Sequence, residues 1–202
     1  MKITSIKLKS PQNTNIFLVA VDDTQYVFHS DVIVKYGMSV GKEFDNKLFF
    51  DLLEESDYII CLNKSMEYIS SKLKTTKQLK DYLYNKGYKT GTINRVVEKL
   101  NEYQVLNDSN FANAYIDSNS SRLSKRNLQN KLAEKGIKKD IAQSLLQDIN
   151  DDEVCKKMAQ KFMKNKEYTK QNLDKLIRHL QYKGFDWDSI SKVLQDFKVE
   201  EF

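Results

Sequence analysis

A segment of about 22 residues occurs three times in this chain without internal gaps, and this constrains the fold more than any other feature. The copies span residues 79–100, 128–149 and 176–197 and align on Gly87, Gly136 and Gly184. These glycines are 49 and 48 residues apart. Self-similarity at a fixed period is typical of proteins that repeat one supersecondary unit.

Each copy has the pattern of two helices separated by a glycine. Leucines stand eight and four residues before the glycine, and this spacing places both on one face of a helix. Glycine suits the left-handed conformation that commonly follows a helix, because it has no Cβ. Apolar residues six, nine, ten and thirteen positions after it predict a second one-sided helix. The sequence therefore predicts a helical repeat.

The region before the repeats has the pattern of strands followed by short helices. Alternating and β-branched runs over 1–29, such as NIFLVAV at 15–21, predict three short strands. Ser30 is the expected cap of a short helix over 31–36, and a second short helix is expected over 45–55.

A further helix is expected at the start of each repeat, which makes three helices per unit. In repeat one it covers residues 63–73, and Thr75 or Thr76 caps the helix that follows. The corresponding helices of repeats two and three are expected to be capped by Asp108 and by Asp151 or Asp152.

The predicted fold is mainly α: three tandem three-helix repeats in an elongated curved array, preceded by a small β-meander with short helices. The predicted domains are an amino-terminal region over 1–58 and helical repeats over 59–107, 108–152 and 153–202. No apolar run reaches the length of a membrane span. Two distant cysteines without a CxxC motif suit a reduced, cytoplasmic protein.

The net charge of +5 comes from the repeats. Residues 1–58 carry −3, whereas the three repeats carry +5, 0 and +3 in order. Lysine greatly outnumbers arginine, a bias that AT-rich coding DNA also produces. The imbalance favours a polyanionic partner only modestly.

The sequence contains no recognisable catalytic constellation. It has no GxxxxGK[ST] phosphate loop and no GxSxG or HExxH motif. His29 and His179 have no neighbouring ligand cluster, and Cys61 and Cys155 suit packing better than nucleophilic attack. We therefore expect a protein that is not an enzyme and needs no metal or other cofactor.

Three sequence features resemble the bacterial regulatory protein RecX family, and the resemblance extends over nearly the whole chain. They are the segment LNDSNFANAYI at 106–116, the recurring L-x-x-x-L-x-x-KG-apolar pattern, and HSDVIVKYGMSVGKEFD at 29–45, which is similar to the amino-terminal β-rich extension of longer RecX proteins. Membership implies a non-enzymatic modulator of the RecA recombinase, active in homologous recombination, DNA repair and the SOS response. It implies binding in the groove of the RecA–single-stranded DNA filament, inhibition of ATP hydrolysis and strand exchange, and double-stranded DNA as a further candidate partner. We expect a monomer.

Basic residues in the loops and at the helix ends are the candidate contacts to a filament or to DNA. They are Lys86, Lys89, Arg95, Arg122, Lys125, Arg126, Lys138 and Lys139. A solvated surface, or the stabilising effect of a cation at a helix carboxyl end, is the alternative explanation. Among the tyrosines, Tyr82 and Tyr84 remain candidates for base stacking, and Trp187 suits either packing or partner contact.

Two other functions remain open. Three-helix units resemble helix-turn-helix modules, so a stand-alone DNA-binding protein is the main alternative. Repeat two has no net charge, however, and a sequence-specific reader usually concentrates arginine, asparagine or glutamine on one helix. The third possibility is a helical scaffold for an unrelated protein.

Overall fold

The computed structural model describes residues 1–198, which form three strands followed by ten helices. The strands are β1 (Ile3–Ser10), β2 (Asn13–Val21) and β3 (Thr24–His29). The helices are α1 (Ser30–Lys35), α2 (Asn46–Ser70), α3 (Thr76–Asn85), α4 (Thr90–Glu102), α5 (Asp108–Asn119), α6 (Lys125–Glu134), α7 (Lys139–Leu145), α8 (Asp151–Met163), α9 (Lys170–Tyr182) and α10 (Trp187–Lys198). A mainly helical fold with a small amino-terminal sheet is confirmed.

The strands form the predicted antiparallel meander in the order β1-β2-β3. Asp22 makes the turn between β2 and β3 with a φ of 52°, which aspartate tolerates better than most residues. One face of the sheet packs against α1 and α2 through a core that includes Val19, Phe28 and Phe49. This contact supplies the packing that a three-stranded sheet needs for stability.

The two helices predicted over 45–55 and 63–73 are wrong, because α2 is one continuous helix of 25 residues. Asp45 caps its start by accepting hydrogen bonds from two backbone amides, and no glycine or proline interrupts it. The buried Ser56 hydroxyl accepts a 2.6 Å hydrogen bond from the amide of His29. The helix therefore carries a polar residue on its buried face. It also spans residue 58, where the sequence places a domain boundary, and that boundary stays a prediction.

In each repeat, a glycine separates two helices, as predicted. Gly87, Gly136 and Gly184 follow α3, α6 and α9 with φ values of 86°, 85° and 86°. In each case the apolar residue after the glycine donates its amide to a leucine carbonyl in the last helical turn, at 3.0–3.3 Å. These bonds satisfy carbonyls that a helix end would otherwise leave unpaired.

Three of the predicted helix caps are wrong by one or two residues. Asn107 caps α5 in place of Asp108, and Asn150 caps α8 in place of Asp151 or Asp152. His29, rather than Ser30, caps α1 by accepting the amide of Asp31 on Nδ1. The asparagine amide oxygen accepts the same hydrogen bonds as a carboxylate, so neighbouring Asn and Asp are nearly equivalent at this position.

The chain forms two compact units, Met1–Leu106 and the residues from Asn107 onward. The amino-terminal unit contains the sheet core and a second core of α2, α3 and α4. The carboxy-terminal unit contains one core in α5–α7 and another in α8–α10. Within residues 1–198, every helix is too short or too polar to cross a bilayer.

Candidate nucleic-acid interface

Two of the predicted basic residues in the amino-terminal unit lie at the α3–α4 junction. Lys86 is the C-cap of α3, and its Nζ lies 5.6 Å from the ring centroid of Tyr82. Lys89 is the exposed N-cap of α4 and makes no side-chain capping bond. A cation is favoured at the carboxyl end of a helix and disfavoured at the amino end. The helix dipole thus explains Lys86 but not Lys89.

The Arg95 side chain contacts other residues of the amino-terminal unit. Its guanidinium lies 3.0 Å from the Glu55 carboxylate and 4.0 Å above the ring centroid of Tyr58. Both contacts tie α4 to α2 within the amino-terminal unit. The structure therefore gives Arg95 a packing role, and its predicted role in binding competes with this ion pair.

The predicted basic loop of repeat two is divided between two environments. Arg122 lies in the turn after α5, where its guanidinium donates a 2.9 Å hydrogen bond to the Asn119 side chain. Arg126 is exposed on the first turn of α6. Both cations remain accessible to a partner.

Lys125, by contrast, links the start of α6 to the residues between the end of α7 and the start of α8. Its backbone amide donates a 2.7 Å hydrogen bond to the Asp151 carboxylate, and its ammonium donates to the carbonyl of Gln147 at 3.3 Å. Burial raises the pKa of Asp151, and the Lys125 amide acts against this rise. Mutation of Lys125 would consequently change a structural contact as well as a charge.

Lys138 and Lys139 lie exposed at the start of α7. Lys138 is the N-cap and makes no side-chain capping bond, and Lys139 is the first helical residue. Like Lys89 in repeat one, these cations stand at the helix end where the dipole opposes positive charge. Local helix stability does not explain them, which favours a role in binding.

Repeat two docks onto repeat three where α6 begins and α9 ends. The Ser124 amide donates to the carbonyl of Lys183 at 3.2 Å, and the Asn127 side chain donates to the carbonyl of Tyr182 at 3.3 Å. A Cβ added at Gly184 would lie 2.5 Å from Asn127 Cγ. Only glycine permits this close approach, which brings the predicted basic loop next to repeat three.

The docking creates a surface cleft of about 420 Å³, which we call the basic cleft. It is lined by Ser121, Arg122, Met158, Lys161, Phe162, His179 and Lys183. Among these lining residues three are cationic at neutral pH and none is acidic. The sequence prediction included Arg122 but missed Lys161 and Lys183, because their neighbourhood arises from the docking of two repeats.

The three cations of the basic cleft form no ion pair with any other residue in the described range 1–198. Four other lysines of the carboxy-terminal unit do form such pairs. They are Lys131 with Glu134, Lys156 with Asp196, Lys157 with Glu153, and Lys192 with Asp152. Within the described residues, the basic cleft therefore holds positive charge that no acidic side chain pairs with.

Two stacked rings, Phe162 and His179, line one side of the basic cleft, and a lysine ammonium lies close to one of them. The rings of Phe162 and His179 lie 5.0 Å apart at 28°, and the ammonium of Lys166 lies 3.3 Å from the centroid of Phe162. Burial lowers the pKa of His179 below its usual 6.5, and Lys183 and Lys166 lower it further. His179 is thus predominantly neutral at pH 7.

This depressed pKa predicts that the carboxy-terminal unit loses stability as the pH falls from about 7.5 to about 6. The unfolded chain keeps the usual His179 pKa and takes up the proton first, so acidification favours unfolding. Denaturant unfolding monitored by Trp187 fluorescence, at several pH values, measures the effect. His179→Gln should flatten the pH dependence, and an unchanged slope in this variant would contradict the assignment.

The tyrosines that are available for stacking on a base are not all those that the sequence predicts. Tyr82 stacks on Tyr68 with centroids 4.0 Å apart and an interplanar angle of 4°, which gives it a packing role. Tyr84 is 46% exposed, whereas Tyr182, which was not retained from the sequence as a stacking candidate, is 81% exposed. The repeat alignment contains the missed signal, because the position of Tyr182 is polar in the other copies (Asn85 and Glu134).

Both cysteines are buried and free. Burial raises the pKa of Cys61 to about 11 and that of Cys155 to about 12. Both side chains therefore remain protonated thiols at neutral pH, in keeping with the packing role expected from the sequence.

Known proteins share the three-helix units and the overall fold of this chain. The family description "RecX, first three-helix domain" matches residues 61–100, and "RecX, third three-helix domain" matches residues 150–194. A crystal structure of a regulatory protein RecX superposes with a TM-score of 0.70 at 17% identity, covering 96% of this chain and 98% of that chain. The crystal structure of RecX from Lactobacillus salivarius gives a TM-score of 0.61 at 25% identity over 71% of this chain and 97% of that chain.

Proteins that are similar in sequence align with all or nearly all of this chain. The "Regulatory protein RecX" of Clostridium perfringens strain 13 is 30% identical over 209 aligned residues, which cover 100% of this chain and 98% of the relative. The protein of the same name from Clostridium tetani is 29% identical, covering 96% of this chain and 93% of the relative. With this identity over the full length and the repeat architecture described above, the chain belongs to the RecX family of regulatory proteins.

Proposed function

We propose that this protein is a non-enzymatic regulator of the RecA recombinase. In this proposal it binds in the groove of the RecA–single-stranded DNA filament and inhibits ATP hydrolysis and strand exchange during recombination, repair and the SOS response. It acts in the cytoplasm as a monomer without a cofactor. Full-length membership in the RecX family is the observation that carries the proposal.

The charges of the structure support contact with a polyanionic filament. Lys89, Lys138 and Lys139 project from helix amino ends, where the dipole disfavours them. We propose that these residues, together with Lys86, Arg122 and Arg126, contact DNA phosphates or acidic RecA surfaces. Arg95 and Lys125 belong to the predicted set as well, but their contacts to Glu55 and Gln147 must open for them to bind.

A stand-alone DNA reader is the alternative, and the third helices of repeats two and three argue against it. Helix-turn-helix proteins read bases with a recognition helix rich in arginine, asparagine or glutamine. Here α7 has the sequence KDIAQSL, and α10 contains two acidic residues, Asp188 and Asp196. Neither helix has the composition expected of a sequence-specific reader.

Binding to RecA-coated DNA distinguishes the two functions. We expect this protein to bind a labelled single-stranded oligonucleotide coated with RecA at least about tenfold more tightly than bare duplex DNA, because RecA supplies additional contacts. Fluorescence anisotropy titrations of both, at matched salt, make the comparison. Tighter binding to bare duplex DNA with a sequence preference would instead establish the DNA reader.

The variant Arg122→Ala/Lys125→Ala/Arg126→Ala tests the predicted loop. Loss of three cations should weaken binding to the RecA filament by about tenfold and reduce the salt dependence of binding. The variant Lys156→Ala/Lys170→Ala/Lys175→Ala removes the same charge from other exposed positions of the carboxy-terminal unit and is the control. Equal affinities of the two variants would exclude the loop from the interface.

A further inference from the structure

We propose that the basic cleft binds the backbone of a single nucleic-acid strand, with Arg122, Lys161 and Lys183 on its phosphates and Tyr182 stacking on a base. This inference deepens the proposed function by assigning a direct DNA site to repeats two and three. It also adds three residues that the sequence prediction did not contain: Lys161, Lys183 and Tyr182.

The charge of the cleft selects an anionic ligand. Arg122 comes from the turn before α6, Lys161 from α8, and Lys183 from the end of α9, so the fold gathers cations from three elements. Gathering like charges without acidic partners destabilises the fold unless a ligand neutralises them. A volume of about 420 Å³ lies in the range of about 300–1,000 Å³ typical of ligand pockets.

The polar groups of the cleft fit phosphodiester oxygens in particular. The Arg122 guanidinium is held by the Asn119 side chain and still has N–H groups available, because guanidinium carries five donors. Lys161 and Lys183 add two ammonium groups, and Ser121 adds a hydroxyl. Arginine with lysine and hydroxyl donors is the usual set that contacts nucleic-acid phosphates.

Tyr182 distinguishes a single strand from other polyanions. The Nζ of Lys183, which lines the basic cleft, lies 5.7 Å from the Tyr182 ring centroid, so the ring is next to one of the three cations of the cleft. Its 81% exposure leaves the ring largely uncovered by the protein. Unstacked bases of single strands pack on such rings, whereas bases inside a duplex are unavailable.

The environment of His179 provides an independent readout inside the cleft. Lys183 and Lys166 oppose its protonation, and Arg122 and Lys161 are the other cations lining the same cleft. A bound phosphate would neutralise part of this field and raise the pKa of His179. NMR titration of the His179 ring, with and without an oligothymidylate, measures this shift.

The test is binding of the full-length protein to a labelled oligothymidylate in the absence of RecA. The variant Arg122→Gln/Lys161→Gln/Lys183→Gln should bind about tenfold more weakly, and the slope of log affinity against log salt should fall by about 2. The charge-matched control Lys156→Gln/Lys170→Gln/Lys175→Gln should stay within about twofold of wild type. Circular dichroism and thermal unfolding confirm that both variants fold.

A second variant tests the base contact. Tyr182→Leu should weaken single-strand binding by about fivefold to tenfold and leave duplex binding unchanged. Equal oligothymidylate affinities of the cleft and control variants would overturn the assignment, and an unaffected Tyr182→Leu would overturn the stacking contact. Because this test contains no RecA, its failure would contradict the cleft as a DNA site and leave the proposed regulation of RecA unaffected. DNA binding that depends on the cleft, by a protein that has no effect on RecA, would support the cleft and contradict the regulation.

Discussion

Gly184→Ala is expected to destabilise the carboxy-terminal unit by about 2–5 kcal/mol. A φ of 86° disfavours alanine by about 1–2 kcal/mol. The new Cβ would also lie 2.5 Å from Asn127 Cγ and 2.7 Å from Ser124 Oγ, and overpacking of this kind costs about 1–3 kcal/mol. Denaturant unfolding followed by the fluorescence of Trp187, the single tryptophan, measures the loss.

Gly87→Ala is the matched control for this variant. Gly87 has the same φ of 86° in repeat one, but an added Cβ would meet no described atom within 4 Å. We expect a loss of about 1–2 kcal/mol, which isolates the backbone contribution and is measured by far-UV circular dichroism. Losses of equal size at the two glycines would show that the close approach of α6 to Gly184 contributes nothing.

The double variant Gly184→Ala/Asn127→Ala tests the contact directly. Shortening Asn127 removes its Cγ and Nδ2 atoms, which lie nearest to the added Cβ. The double variant should therefore be less destabilised than the sum of the two single variants, by at least about 0.5 kcal/mol. Because the same contact brings Arg122 next to Lys183, Gly184→Ala should also weaken binding at the basic cleft.

Phe49→Ala is expected to destabilise the amino-terminal unit by about 3–5 kcal/mol. Phe49 is fully buried where α2 packs on the sheet. Its ring makes T-shaped contacts with Tyr26 and Phe28 at centroid distances of 5.1 and 5.4 Å. Truncation leaves a cavity and removes both ring contacts, and far-UV circular dichroism during denaturant unfolding measures the loss.

Phe50→Ala separates burial from residue type. Phe50 is the next residue in the same helix but is 44% exposed. Its removal should cost less than about 1.5 kcal/mol, because most of the truncated surface already contacts water. If Phe50→Ala were as damaging as Phe49→Ala, the face of α2 that packs on the sheet would be wrongly assigned.

The parts of the fold that local patterns encode were predictable. The helix–glycine–helix units follow from leucine spacing and from the left-handed position after each helix, both of which depend on neighbouring residues only. The continuity of α2 was not predictable in this way. Ser56 interrupts its apolar stripe, yet its hydroxyl is buried because it accepts a bond from the His29 amide, 27 positions away in sequence.

The candidate site depends more on distant contacts than the fold does. Exposed cations such as Lys89 and Lys138 could be identified from their place beside a helix-ending glycine. The pairing of Arg95 with Glu55 spans 40 positions, and the basic cleft exists because Ser124 bonds to Lys183 in the next repeat. No local periodicity carries this information, since both contacts join segments that are far apart in sequence.

The most direct test of RecA regulation is RecA-dependent ATP hydrolysis on single-stranded DNA, titrated with this protein at two salt concentrations. If the protein regulates RecA by binding the filament, we expect inhibition at substoichiometric amounts of protein, with RecA still coating the DNA. Inhibition only at saturating protein, abolished by added salt, would indicate competition for DNA and contradict filament binding. Unchanged hydrolysis at every ratio would contradict RecA regulation altogether.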